Sequence, residues 1–203
     1  MFLYFIKGPR KINMIEEHRS VQEDGTLDLR GIVHIKFKEY FNNHSIKTII
    51  IGSSVQTIEE WAFFKCQNLE EILFEEPCQI KKLEHCCFAD CSNLRKIDLP
   101  SSIENIDRYA FSACSLERVI LRDPYYIRVN CFLTNSLTYL HIADSIQKLT
   151  QRAFYPNTGL PLCDSPCKIY IRPEFHDEIK RMFQGRTIEF IGNELEEGGY
   201  VLK

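Results

Sequence analysis

Leu94-Arg95-Lys96-Ile97-Asp98-Leu99-Pro100-Ser101-Ser102-Ile103-Glu104-Asn105-Ile106-Asp107-Arg108-Tyr109-Ala110-Phe111-Ser112-Ala113-Cys114 is one period of a pattern that runs through most of the chain. Working outward from it, phenylalanine recurs at Phe41, Phe63, Phe88, Phe111, Phe132 and Phe154, with spacings of 22, 25, 23, 21 and 22. Eight residues before each stand Val33, Val55, Ile80, Ile103, Pro124 and Ile146. Five residues before stand Lys36, Ile58, Leu83, Ile106, Ile127 and Leu149, where only Lys36 breaks the column. Three residues after come His44, Cys66, Cys91, Cys114, Asn135 and Asn157. Every cycle also holds an alternating pair: Leu27/Leu29, Ile49/Ile51, Ile72/Phe74, Ile97/Leu99, Val119/Leu121, Leu140/Ile142 and Ile169/Ile171. Columns in phase over this length mean a solenoid.

The spacing dictates the unit. An alternating pair is a period-two strand with those two side chains inward and their neighbours outward. The positions eight and five before phenylalanine lie in a second extended stretch, and the small-residue–Phe step closes the corner as a short helical or 3₁₀ segment. Each unit buries about five apolar side chains at roughly 1.5–3 kcal/mol each. Most of that burial needs a neighbour on either side, so one unit alone does not fold. The fold class read here is a leucine-rich repeat solenoid, mainly β, of about six to seven rungs. The domain reading is an N-terminal cap over 1–24, repeats over 25–171, a C-terminal cap over 172–192 and a tail over 193–203. In the N-terminal cap, Lys7-Gly8-Pro9-Arg10 reads as the turn of a hairpin. In the C-terminal cap, Pro173-Glu174 reads as a helix start and Gly185 as its stop, with Thr187–Ile191 returning as a strand.

The quoted period resembles the BspA-type leucine-rich repeat family, whose pattern is approximately LxxIxLPxxLxxIxxxAFxxC. The resemblance covers about Gly25 to Ile171 and departs at Lys36, at Pro124, at Cys87 and Cys131 in alanine slots, and at His44, Asn135 and Asn157 in the cysteine slot. It implies a protein-binding repeat of the kind found on the surface and adhesion proteins of bacteria and parasitic protists.

Composition narrows the function classes. Lys and Arg number 25 against 28 Asp and Glu, a net charge of −3, too small a bias for a general nucleic-acid or anionic-membrane binder. Hydrophobic residues at 44% and charged residues at 26% describe a soluble globular chain. Phe2–Ile6 is only five apolar residues long, short of both a secretory h-region and a membrane span. Nine cysteines cannot all pair, which favours a reducing interior. On sequence grounds the location is cytoplasmic; the resemblance points to the cell surface.

Chemistry-bearing motifs are weak. Cys66, Cys91 and Cys114 share a column with asparagine, so the slot asks for a small side chain facing the turn backbone rather than for a metal. His85-Cys86-Cys87 lacks the two-to-four-residue separation of paired zinc ligands. From Phe154 to Ile169 is 15 residues where other cycles take 8 or 9, so a protruding loop with Gly159, Pro161 and Pro166 is expected to carry Cys163 and Cys167; the two could form a local disulfide or half a metal site, but no second pair at matching spacing is evident. The adjacent acidic pairs Glu59-Glu60, Glu70-Glu71 and Glu75-Glu76 put their members on opposite faces of an extended chain, poor geometry for acid/base work. No Walker, dinucleotide, HExxH or GxSxG motif occurs, and neither a cofactor nor a metal ligand set is assigned.

Function is therefore sought on the outward strand face. Three rows are expected across it, with Ile50, Leu73, Lys96, Arg118, Ile120, Arg122, Tyr139, His141 and Tyr170 as the candidate protein-binding residues. Glu71 and Lys96 are expected to neighbour each other across rungs. The reading is a non-enzymatic protein–protein interaction module, with a protein ligand, no nucleic acid and no membrane insertion. An intracellular scaffold is the alternative, and a metal-binding protein or enzyme centred on Cys163–Cys167 is the third.

Overall fold

A computed structural model describes residues 19–155 and 166–192. The strands alternate between long and short: β1 (Thr26–Asp28) with β2 (His34–Ile35), β3 (Thr48–Ile51) with β4 (Thr57–Ile58), β5 (Glu71–Phe74) with β6 (Lys82–Leu83), β7 (Lys96–Leu99) with β8 (Asn105–Ile106), β9 (Arg118–Leu121) with β10 (Tyr126–Ile127), and β11 (Tyr139–Ile142) with β12 (Lys148–Leu149). β13 (Cys167–Tyr170) begins the last rung; a 3₁₀ turn (Pro173–Phe175), α1 (His176–Met182) and β14 (Ile188–Phe190) close it. All pairing is parallel and between successive rungs, so the molecule is a β-solenoid. The short strands form one six-stranded sheet, β12-β10-β8-β6-β4-β2. The long strands divide into β1-β3-β5 and β14-β13-β11-β9-β7. That break falls beside the one rung where 11 rather than 8 or 9 residues separate the start of the long strand from the start of the short one, at Glu71 and Lys82.

The register carries the inward pairs as expected. Leu27, Ile49 and Ile72 lie abreast, as do Ile97, Val119, Leu140 and Ile169. Between them runs a stack of rings: Tyr40, Phe63, Phe88, Phe111, Phe132 and Phe154, with successive centroids 5.3, 5.1, 5.4, 5.5 and 4.9 Å apart and planes within 9°. Phe183, beyond α1, ends the stack at 6.3 Å and buries with Ile179 and Met182 against the last rung. An apolar end needs such a cover because no further rung supplies one.

Two sequence expectations change. First, the opening rung is out of phase by one residue. Tyr40, not Phe41, occupies the ring column; Ile35, not Lys36, pairs with Ile58; and Lys36 therefore breaks nothing. Asn43, not His44, then stands three after the ring, so that slot holds only asparagine or cysteine among the described residues. Second, the corners are hydrogen-bonded turns, and the described residues contain helical segments only in the C-terminal cap. Backbone geometry explains why. Residues two before and two after the ring adopt left-handed φ: Lys38, Trp61, Cys86, Tyr109 and Asn130 in one column, Asn42, Lys65, Asp90, Ala113 and Thr134 in the other. N–H groups then alternate in direction. Trp61, Phe63 and Lys65 donate to His85, Cys87 and Ala89 of the next rung at 3.1, 2.8 and 2.9 Å, while Ala62, Phe64 and Cys66 donate locally to the carbonyl three residues back. A helix would turn every N–H inward on itself and leave neighbouring corners unjoined.

The expected N-terminal hairpin with its turn at Lys7–Arg10, Asn157, Cys163 and the tail over 193–203 lie outside the described residues. Cys167 does not lie in a loop. It opens β13 and is fully buried, because the strand begins two residues earlier than the inward pair alone suggested.

Candidate functional site

The strand face has the expected rows. Thr26, Thr48 and Glu71 lie abreast, and so do Lys96, Arg118, Tyr139 and Lys168; Asp98, Ile120, His141 and Tyr170 form the next row. Its middle, however, is sealed. Ile120, Tyr139 and His141 are only 3, 4 and 3% exposed, although they point away from the core. Longer neighbours lie over them. The Arg118 guanidinium sits 3.9 Å above the Tyr139 ring, and the Tyr170 ring stacks on His141 at 4.6 Å. Arg122 makes a forked pair with Asp98 at 2.8 and 2.7 Å, and the Tyr170 hydroxyl donates to Asp144 at 2.8 Å. Burial and the nearby Arg122 push the His141 pKa down, so its imidazole stays neutral. Neither the Tyr139 hydroxyl nor His141 Nδ1 has a hydrogen-bond partner among the described residues. Ile50, Leu73, Arg118, Arg122 and Tyr170 are half-buried and Lys96 is exposed. The Lys96–Glu71 neighbourhood holds as an ion pair of 3.3 Å.

A more open surface lies at the corner, where the sequence reading placed nothing. Left-handed φ at Lys38, Trp61 and Tyr109 turns those side chains away from the ring stack. Phe37 and Phe41 are 55 and 40% exposed. Phe41 stacks on Phe64 at 5.4 Å, Phe64 packs on Trp61 at 4.5 Å, and Trp61 and Tyr109 both meet His85 edge-on at 5.8 Å. Lys38 Nζ sits 5.1, 5.4 and 5.8 Å from the rings of Phe37, Phe41 and Trp61, and Lys65 Nζ 5.4 Å from Phe64. Among the described residues no carboxylate pairs with either lysine. The result is a cationic aromatic strip over four rungs, ending where Asn130 Nδ2 donates to the Tyr109 hydroxyl. The signal was present in the sequence as the surplus aromatics Phe37, Phe41, Trp61 and Phe64, but the phase error at Tyr40/Phe41 counted an exposed ring as core.

The thiol column is structural. Cys66, Cys91 and Cys114 donate to the carbonyls of Tyr40, Phe63 and Phe88, and Asn135 Nδ2 donates to that of Phe111 at 2.9 Å. Burial pushes the Cys66 thiol up to about 12 and holds Cys91 well above the ordinary value. Cys86 lies 3.4 Å from His85 Nε2, yet burial and then Glu60 push it up to about 11, so the pair is a thiol beside an imidazole and not a thiolate. No three His, Cys, Asp or Glu side chains among the described residues converge as a metal site. Nor is any described helix long and apolar enough to cross a membrane.

A model of the BspA type leucine rich repeat region matches residues 34–161 in six copies. The chain belongs to the BspA-type leucine-rich repeat family. Among solved structures this repeat chain is similar to a leucine rich cell surface protein from Faecalibacterium prausnitzii A2-165, 18% identical with a TM-score of 0.48, over 70% of this chain and 51% of that one. It is also similar to a leucine-rich repeat protein from Bacteroides ovatus ATCC 8483, 22% identical with a TM-score of 0.39, over 76% of this chain and 59% of that one. The chain thus spans little more than half the length of either. No curated protein matches it.

Proposed function

We propose that this BspA-type repeat chain is a non-enzymatic protein-binding module, and that its main contact surface is the aromatic corner of the first rungs. The observation that carries the reading is the pair of exposed rings Phe37 and Phe41, contiguous through Phe64 and Trp61 and crossed by Lys38. Soluble chains rarely leave joined aromatics in water without a use for them, and protein interfaces concentrate their energy in such groups. The raised pKa values of Cys86 and Cys91 argue against cysteine-nucleophile chemistry at those two thiols. The test is capture of ligands from bacterial and host extracellular fractions by the immobilised chain. Any protein retained by the wild type should lose at least about 2 kcal/mol of affinity to a Phe37→Asp/Phe41→Asp double variant, the scale of a hot spot. Undiminished binding by that variant would reject the corner.

The rim of the strand face is a second reading. It rests on a shallow depression lined by Glu70, Asn93, Arg95, Lys96, Glu117 and Arg118. Lys96→Glu and Arg118→Glu should then weaken binding, chiefly through association rate.

A further inference from the structure

The short-strand sheet changes charge along its length. Toward the first rungs its outer surface mixes Lys36 and Lys38 with Glu59, Glu60 and Glu84. Toward the last ones it carries Arg108, Arg128, Lys148 and Arg152. The cations at the middle of this sheet are neutralised: Lys82 pairs with Glu84 at 2.6 Å and Asp107 at 2.9 Å, and Lys81 with Glu104 at 3.1 Å. Those at its far end are not. Among the described residues no carboxylate pairs with Arg108, Lys148 or Arg152, and Arg128 only shares Asp107 with Lys82, at 3.7 Å.

Tyrosines organise this end. Arg128 and Lys148 approach the Tyr126 ring at 5.0 and 4.9 Å, which sets two positive groups about one phenol on adjacent rungs. Tyr125 beside it is 55% exposed. Exposed Arg152 follows on the last of these rungs, its backbone carbonyl accepting the Asn130 N–H at 2.9 Å.

We propose that this patch docks an acidic peptide segment of a partner protein. It goes beyond the aromatic corner: Arg128, Lys148 and Arg152 stand on later rungs than Phe37 and Phe41, and the proposal does not depend on those rings. Two features select a peptide over a longer polyanion. The positive area covers three rungs, about 10 Å at the spacing of adjacent strands, and Glu104, Asp107 and Asp123 bound it, so a strand of regular phosphates or sulfates would run onto negative ground. Three of the four cations are arginines, whose planar fork matches a carboxylate, and exposed tyrosine supplies the amphipathic area that protein interfaces favour.

A fluorescein-labelled decapeptide of aspartate and glutamate, titrated with the full chain and read by anisotropy, tests this. Saturable binding that weakens as salt rises is expected. The Arg128→Glu/Lys148→Glu variant should bind at least about tenfold more weakly. Arg128→Gln and Arg152→Gln should each lower affinity less, and serve if charge reversal impairs folding. Phe37→Asp/Phe41→Asp should leave peptide affinity unchanged, which separates failure here from failure of the corner. Equal affinity in the charge variants would overturn the proposal. So would tighter binding of an oligothymidylate or a sulfated oligosaccharide of similar length through the same residues.

Discussion

The Phe111 ring lies between Phe88 at 5.4 Å and Phe132 at 5.5 Å, in planes tilted by 5 and 9°, and is wholly buried. Removing it leaves a gap that neither neighbour fills, since each is fixed by its own rung. Phe111→Ala should therefore cost about 3–5 kcal/mol in urea unfolding, and a loss below about 1 kcal/mol would mean the stack is not core. The thiol column yields a sharper residue-scale test. Cys91 donates to the Phe63 carbonyl at 3.3 Å, the bond Asn135 makes to Phe111 two places further along the column. Cys91→Asn should thus keep a donor in place, whereas Cys91→Leu leaves the carbonyl with the Cys66 N–H alone and overfills the slot, at a cost of about 1–3 kcal/mol. Equal losses of thermal stability in the two variants would discard the shared-donor account. The same scale limits what the strand face can be asked. Ile120 and Tyr139 are buried, so aspartate there places a charge in a closed layer and damages folding before it reports on binding.

At the scale of the element, the corner is the unusual part. Ten of the described non-glycine residues hold left-handed φ, among them the bulky Trp61 and the β-branched Thr134 at φ 62 and 58°. An L-residue in that region is disfavoured by about 1–2 kcal/mol, and what holds it there is the N–H bond to the next rung. Ala113, for example, donates to Leu133 at 2.7 Å. Exposed Thr134 should accept glycine readily: Thr134→Gly should raise stability by about 0.5–1 kcal/mol in urea, and a loss would show that its side chain matters more than its backbone. This element also shows where sequence reading succeeds and where it stops. Strand pairs such as Ile97/Leu99 and Val119/Leu121 were legible because period two survives any one-residue ambiguity within a copy. The corner was not, since residues as unlike as Lys38, Trp61, Cys86, Tyr109 and Asn130 share one backbone state that only asparagine among them adopts readily. Nor was the closure of the strand face: which outward side chain covers which depends on lateral crowding between rungs. Arg118 over Tyr139 and Tyr170 over His141 are cross-strand facts, absent from any single period.

For the whole molecule, every rung rests on the next, so stability should propagate from the ends. Phe183, Met182 and Ile179 cover the last rung. Phe183→Ala should cost about 3–5 kcal/mol locally and uncouple the C-terminal rungs first. Hydrogen exchange should then show early loss of protection in β11 and β13 with β1, β3 and β5 still protected. Uniform loss along the chain would instead make the solenoid a single cooperative unit.

The inward thiols have a kinetic consequence. Seven of the eight described cysteines are buried, and several are held protonated by that burial. Alkylating reagents meet them only when a rung opens, and each capture is irreversible. Modification of Cys66, Cys91 and Cys114 thereby becomes a clock for opening events: mass spectrometry of the adducts would time, rung by rung, how often the solenoid breathes.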